Sequence, residues 1–164
     1  MGTEIGNLNE LTTPPAGDDE LVLVDTSETL DVDKTKRISV TNFLGDSNIG
    51  TINYIIDGGG SPITTGIKGQ IIIDFACTIT EWAIIGLPAG AIVVDVHRST
   101  YGGFPTTTTL TATEKPTIVA TNDTGEDRTL TTWSTINAGD ILEFEVDSVA
   151  TIERCTVALK ILRT

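Results

Sequence analysis

Along residues 140–161 apolar side chains fall on every second position. Leu142, Phe144 and Val146 alternate with Glu143, Glu145 and Asp147; Cys155, Val157, Leu159 and Ile161 alternate with Arg154, Thr156, Ala158 and Lys160. A period of two predicts half-buried strands that show one face to a core and the other to water. The same reading applies upstream, where Phe75, Cys77 and Ile79 alternate with Asp74, Ala76, Thr78 and Thr80. Residues 82–85 then lead to a predicted turn over 86–90, which holds Pro88 between two glycines. Residues 91–96 are almost continuously apolar, as expected of a strand covered on both faces. Earlier, an Ile-rich run from Ile52 meets the block Gly58, Gly59, Gly60, and Gly66 and Gly69 precede a further run over 71–73. These glycines predict corners where strands turn or leave the sheet. Residues 117–120 read as a short strand and 122–127 as a polar turn. About eight strands with glycine-rich corners predict an all-β fold, an antiparallel β-sandwich of jelly-roll type.

The first 45 residues depart from this pattern. They carry nine acidic and three basic residues and the stiff pair Pro14-Pro15. Residues 21–24 and 37–40 predict two short strands, and Thr41 is placed to cap one helical turn ending at Gly45. So few apolar residues cannot close a core alone. The expected organisation is therefore a small extended attachment and oligomerisation segment over 1–45 and a β-sandwich over 46–164. Leu21, Leu23, Ile38, Val40, Phe43 and Leu44 are the expected anchoring side chains.

Composition narrows the partners. The 23 acidic against 10 basic residues give a net charge of −13. That balance disfavours a nucleic-acid backbone, which calls for a basic face, and an anionic membrane surface. No apolar run reaches the eighteen residues of a membrane span, and no basic-then-apolar leader opens the chain. The 29 threonines, many beside Ile or Val, reinforce the strand reading. The two cysteines, Cys77 and Cys155, fall on inward-facing positions and read as buried free thiols, with a bridge between them as the alternative.

Candidate chemistry is sparse. His97 is the only histidine and reads as solvent-facing or packed under a loop, since a histidine metal site needs companions. Residues 60–68 lack the spacing of a phosphate loop. Asp123, Glu126 and Asp127 read as a solvated turn, with calcium as the alternative. Glu143, Glu145 and Asp147 stand side by side on one strand face, whereas glycoside hydrolysis uses two carboxyls facing across a substrate. They read as the wet face of a sheet, or as an interface with basic residues such as Arg154 if three copies meet. Tyr101, Phe104 and Trp133 fall in polar, Gly- and Thr-rich stretches. They read as covering the end of the fold or a neighbouring chain, or alternatively as flat rings that stack on sugars. No catalytic residue, cofactor or metal is expected.

Two groups of residues carry a resemblance. The first is the run 10–25 (ELTTPPAGDDELVLVD) with 36–44 (KRISVTNFL); the second is 57–69 (DGGGSPITTGIKG) with 138–142 (AGDIL) and 146–149 (VDSV). Together they resemble small structural appendage proteins, fibres and decoration proteins, of tailed bacteriophages. The resemblance implies a homotrimer on the outer surface of the virion. Its N-terminal segment would bind capsid or tail proteins and its β-sandwich would face outward, with no catalytic residues to assign. Receptor-binding fibres of this kind carry a long shaft, for which the sequence offers no segment, so a short head or tail appendage is the closer expectation. Host-surface glycan is the alternative partner.

Overall fold

The computed structural model describes residues 20–24, 35–39 and 48–164, and the chain divides into two compact units, Met1–Ser47 and Asn48–Thr164. In the first unit, β1 (Glu20–Val24) and β2 (Thr35–Ser39) pair antiparallel, with Leu21 opposite Ile38 and Leu23 opposite Lys36. The capped turn at 41–44, with Val40, Phe43 and Leu44, lies outside the described residues.

The second unit is a seven-stranded antiparallel sheet of β3 (Ile49–Asp57), β4 (Gly66–Ile73), β5 (Cys77–Ser99), β6 (Thr108–Thr109), β7 (Thr117–Asp127), β8 (Asp140–Ala150) and β9 (Arg154–Arg163). There is no helix among the described residues. The order is β3-β9-β5-β8-β4, with β6 and β7 along the other side of β5. The all-β antiparallel expectation therefore holds.

β5 organises the sheet. Its first half, from Cys77 to Leu87, pairs with β9, and its second half, from Ala91 to Ser99, pairs with β8. The predicted turn at 86–90 is instead a corner inside this 23-residue strand. A hairpin there is ruled out by the partners: β5 crosses from β9 to β8 at the point where β8 hands the chain on to β9. The corner is tight. A Cβ on Gly90 would stand 2.2 Å from the Ala150 carbonyl oxygen, and one on Gly86 3.0 Å from the Ile118 side chain. The Leu87 carbonyl accepts from the Glu153 amide at 2.8 Å, closing the corner.

Two further expectations change. Residues 122–127 are not a turn but the second half of β7, paired with Trp82–Ile85 positions of β5. Polar composition misled there because β7 lies along the rim of the sheet, where side chains meet water. Gly66 and Gly69 sit within β4, where the register shifts between Ile67 and Gly69, rather than outside a strand. The triple glycine is a true turn: Gly59 and Gly60 adopt φ of 67° and 82°, and a Cβ on Gly58 would fall 2.0 Å from the Ser61 carbonyl.

Bending β5 curls the sheet so that its ends meet over one core. Tyr54 of β3 stacks on Phe144 of β8, ring centroids 4.0 Å apart and planes 2° from parallel. The Tyr54 hydroxyl also abuts Gly69 of β4, where a Cβ would come within 2.4 Å of it. The alternating residues read from the sequence fill the space between: Ile79, Leu142, Phe144, Val146, Val157, Leu159 and Ile161 are all buried. Cys77, which opens β5 opposite Arg163, and Cys155 of β9, opposite Gly86, are both buried and free. Burial pushes the Cys155 thiol up to about 11, which makes it a poor nucleophile.

Candidate functional site

The outward side of β5, β8 and β4 carries a polar row. Asp95 stands opposite Glu145 and His97 opposite Glu143, while Val94 and Val96 between them point into the core. Gln70 of β4 continues the row beside Glu143. The expectation of a wet face fails at Glu143, which is only 5% exposed. Its carboxylate accepts from Gln70 Nε2 at 2.7 Å and Thr107 Oγ1 at 3.1 Å. The reason is tertiary: the chain between β5 and β7 folds back over this strand face.

Asp95 is the centre of that fold-back. Its Oδ1 accepts from Thr109 Oγ1 at 2.7 Å and Thr111 Oγ1 at 2.6 Å, and its Oδ2 lies 2.7 Å from Lys115 Nζ. Burial by itself works to raise its pKa, but the Lys115 and threonine hydrogen bonds outweigh it and hold Asp95 below the usual aspartate range. Lys115 reaches Asp147 as well, at 2.7 Å; Asp147 follows the inward Val146 on the outward side of β8, where the register with β5 shifts. His97 Nε2 lies 3.3 Å from Glu145 and 3.6 Å from Asp95, packed beneath β6 with Thr109 opposite. Arg98 anchors the start of the fold-back on Asp140 at 2.7 Å. These carboxylates are occupied by one another's neighbours, so the network fastens residues 100–116 to the sheet instead of facing an open cleft.

The loop so fastened carries the aromatic candidates. Tyr101 is 71% exposed and Phe104 40%, on a turn closed by the Gly103 and Phe104 amides donating to the Thr100 carbonyl at 3.0 and 3.1 Å. A shallow hollow of about 300 Å³ lined by Arg98, Ser99, Thr100, Gly103, Thr106 and Thr108 adjoins them. Trp133 is placed differently. It is 7% exposed, packs in the core and donates its indole N–H to the Glu114 carbonyl at 3.3 Å. Its ring faces are therefore not presented with those of Tyr101 and Phe104. The neighbouring Glu114 carboxylate accepts from the hydroxyls and amides of Thr131 and Thr132, which lower its pKa to about 2.

Asp123, Glu126 and Asp127 do not converge. Glu126 faces Arg128 at 2.7 Å, and Asp127 accepts from the Thr129 amide at 2.9 Å. Arg154 pairs with Asp57 of its own chain at 2.8 Å.

A second surface was not anticipated. On the outward side of β3, β9 and the first half of β5, Ile55, Ile85 and Leu87 are 64%, 57% and 67% exposed. Ile55 and Ile85 both stand opposite Thr156, and form one row across three strands. The signal was present in the sequence. Trp82, Ile84 and Gly86 already supply the inward side of this strand, so Ala83, Ile85 and Leu87 are surplus to the core. No protein-family description, curated protein or solved structure matches the chain.

Proposed function

We propose that the chain is a non-enzymatic structural protein of a bacteriophage particle: a short trimeric head or tail appendage, such as a capsid decoration protein or small fibre. Residues 1–45 hold it to the particle and the β-domain faces outward. In this reading the two halves of the curled sheet are the layers of a jelly-roll-like sandwich. The observation that carries it is the pairing of a polar network whose carboxylates are already engaged with an outer sheet face that exposes a row of large apolar side chains. Such a surface suits assembly better than turnover. Two segments that resemble appendage proteins support the particle and its outer surface as the setting.

Antibody labelling of intact particles in the electron microscope tests the setting. Label over the shell is expected for a decoration protein and label at the tail for a fibre; particles without label overturn the proposal. Deleting residues 1–45 is expected to abolish attachment to particles, and a truncated chain that still attaches removes the anchoring role.

A second reading is supported by the exposure of Tyr101 and Phe104 beside the polar hollow: a receptor-binding module for host-surface glycan. Stacking on a ring contributes about 1 kcal/mol or more. Tyr101→Ala with Phe104→Ala should therefore weaken glycan binding at least about fivefold, measured on a glycan array and by calorimetry, with the thermal midpoint unchanged. Equal binding by the double variant rejects this site.

A further inference from the structure

The geometry points to the outward face of β3, β9 and the first half of β5 as the surface through which copies of this chain pack against one another. This specifies the contact for the trimer proposed above and rests on that reading only for the number of copies.

Two observations identify the occupant. The first is apolar exposure in register: Ile55 and Ile85 flank Thr156, Leu87 stands opposite Arg154, and Ala83 opposite Ala158 extends the apolar strip. Beside it lies a hollow of about 280 Å³ between Ile85, Leu87 and the β7 rim. Large side chains exposed in adjacent rows of a sheet are costly to leave in water, and they mark a contact surface.

The second is charge. The chain carries −13 overall, so two copies approaching at random repel. On this face, however, each cation is matched by a carboxylate. Arg154 lies 2.8 Å from Asp57, Lys160 2.5 Å from Glu81 and Arg128 2.7 Å from Glu126. Three of the chain's ten basic side chains gather here, and Asp123 at the rim is the only carboxylate of the hollow's lining. An apolar strip bordered by three cations, their carboxylate partners and Asp123 is where an acidic protein meets its own copy with less repulsion than its net charge implies. The two signs also allow pairs to be exchanged across the contact. A strongly basic partner would find more attraction elsewhere on the molecule, so a second copy is the occupant that the face selects.

The test is sedimentation equilibrium of the full chain across concentration. The wild type is expected to associate, and more tightly in about 0.5 M salt, which screens the net repulsion. Ile55→Glu with Leu87→Glu should weaken association at least about thirtyfold and return the mass to that of one 17.4 kDa chain. Ile72→Glu, at an exposed apolar position of β4 outside this face, should leave it unchanged. If the glutamate variant does not fold by circular dichroism, Ile55→Thr with Leu87→Thr keeps strand-forming residues at both positions and reads the same loss. A wild type that stays monomeric, or a folded double variant that associates like the wild type, overturns the proposal. Its failure is separable from that of the particle reading. Labelled particles with a monomeric purified chain reject this face alone; association without any particle label rejects the phage setting and leaves the face standing.

Discussion

Phe144→Ala is expected to lower the free energy of unfolding by about 3–5 kcal/mol. A domain of this size holds only about 5–15 kcal/mol in all. Phe144 is fully buried, and its ring lies flat on Tyr54, a residue of the opposite end of the curled sheet. Truncation removes both the transferred apolar area and the stacked partner. It leaves a void among close-packed side chains, which relax only in part to fill it. Urea unfolding with an unchanged slope is the measurement. A loss below about 1 kcal/mol would mean that the two ends of the sheet close independently of this contact.

The second large effect is expected at Asp95. Asp95→Ala deprives Thr109 and Thr111 of their acceptor and Lys115 of its more deeply buried partner, at a cost of about 2–3 kcal/mol near neutral pH. Lys115 keeps Asp147 and is partly in water, which limits the loss. The effect has a pH signature. The folded pKa of Asp95 is depressed, so its contribution is present above the ordinary aspartate value and is lost as pH falls through the folded one. Glu114, lowered from 4.5 to about 2, acts in the same direction and over that window. Through Glu114, wild-type stability should fall between about pH 4.5 and 2. The gap between wild type and Asp95→Ala should narrow as pH falls below the ordinary aspartate value. A gap that stays constant until the acid-unfolded state is reached would show that the carboxylate charge is not what fastens the loop. Because residues 100–116 carry Tyr101 and Phe104, any glycan binding should weaken with this variant as well.

Much of the molecule follows from local pattern. The period of two fixes which side chains of β8 and β9 enter the core, since alternate residues of a strand must face opposite ways. The triple glycine at 58–60 announces a turn because two of its residues need positive φ. Free, buried cysteines follow from inward positions in the same alternation. The errors share one cause. Residues 86–90 and 122–127 contain turn-forming residues, yet become strand because β5 and β7 run side by side around a corner. Glycine there serves close approach between backbones, which composition does not distinguish from chain reversal. Glu143 reads as wet because Glu145 and Asp147 beside it on the strand face are polar, but Thr107, 36 residues away in sequence, covers it. Trp133 packs inward, as the first of its two readings has it, against Glu114 19 residues away.

By itself, then, the sequence determined the strand class, the inward set of side chains, the acidic surface charge and the distinct character of the first 45 residues. These are local or additive properties, set by alternation and by counts. Only the tertiary structure decided that β5 bends and changes partner from β9 to β8, that Asp95 holds the loop with Tyr101 and Phe104, and that Ile55, Ile85 and Leu87 come together outside the core. Each of these depends on which strand lies beside which. That is settled by contacts between residues far apart in the chain, where period and composition carry no information.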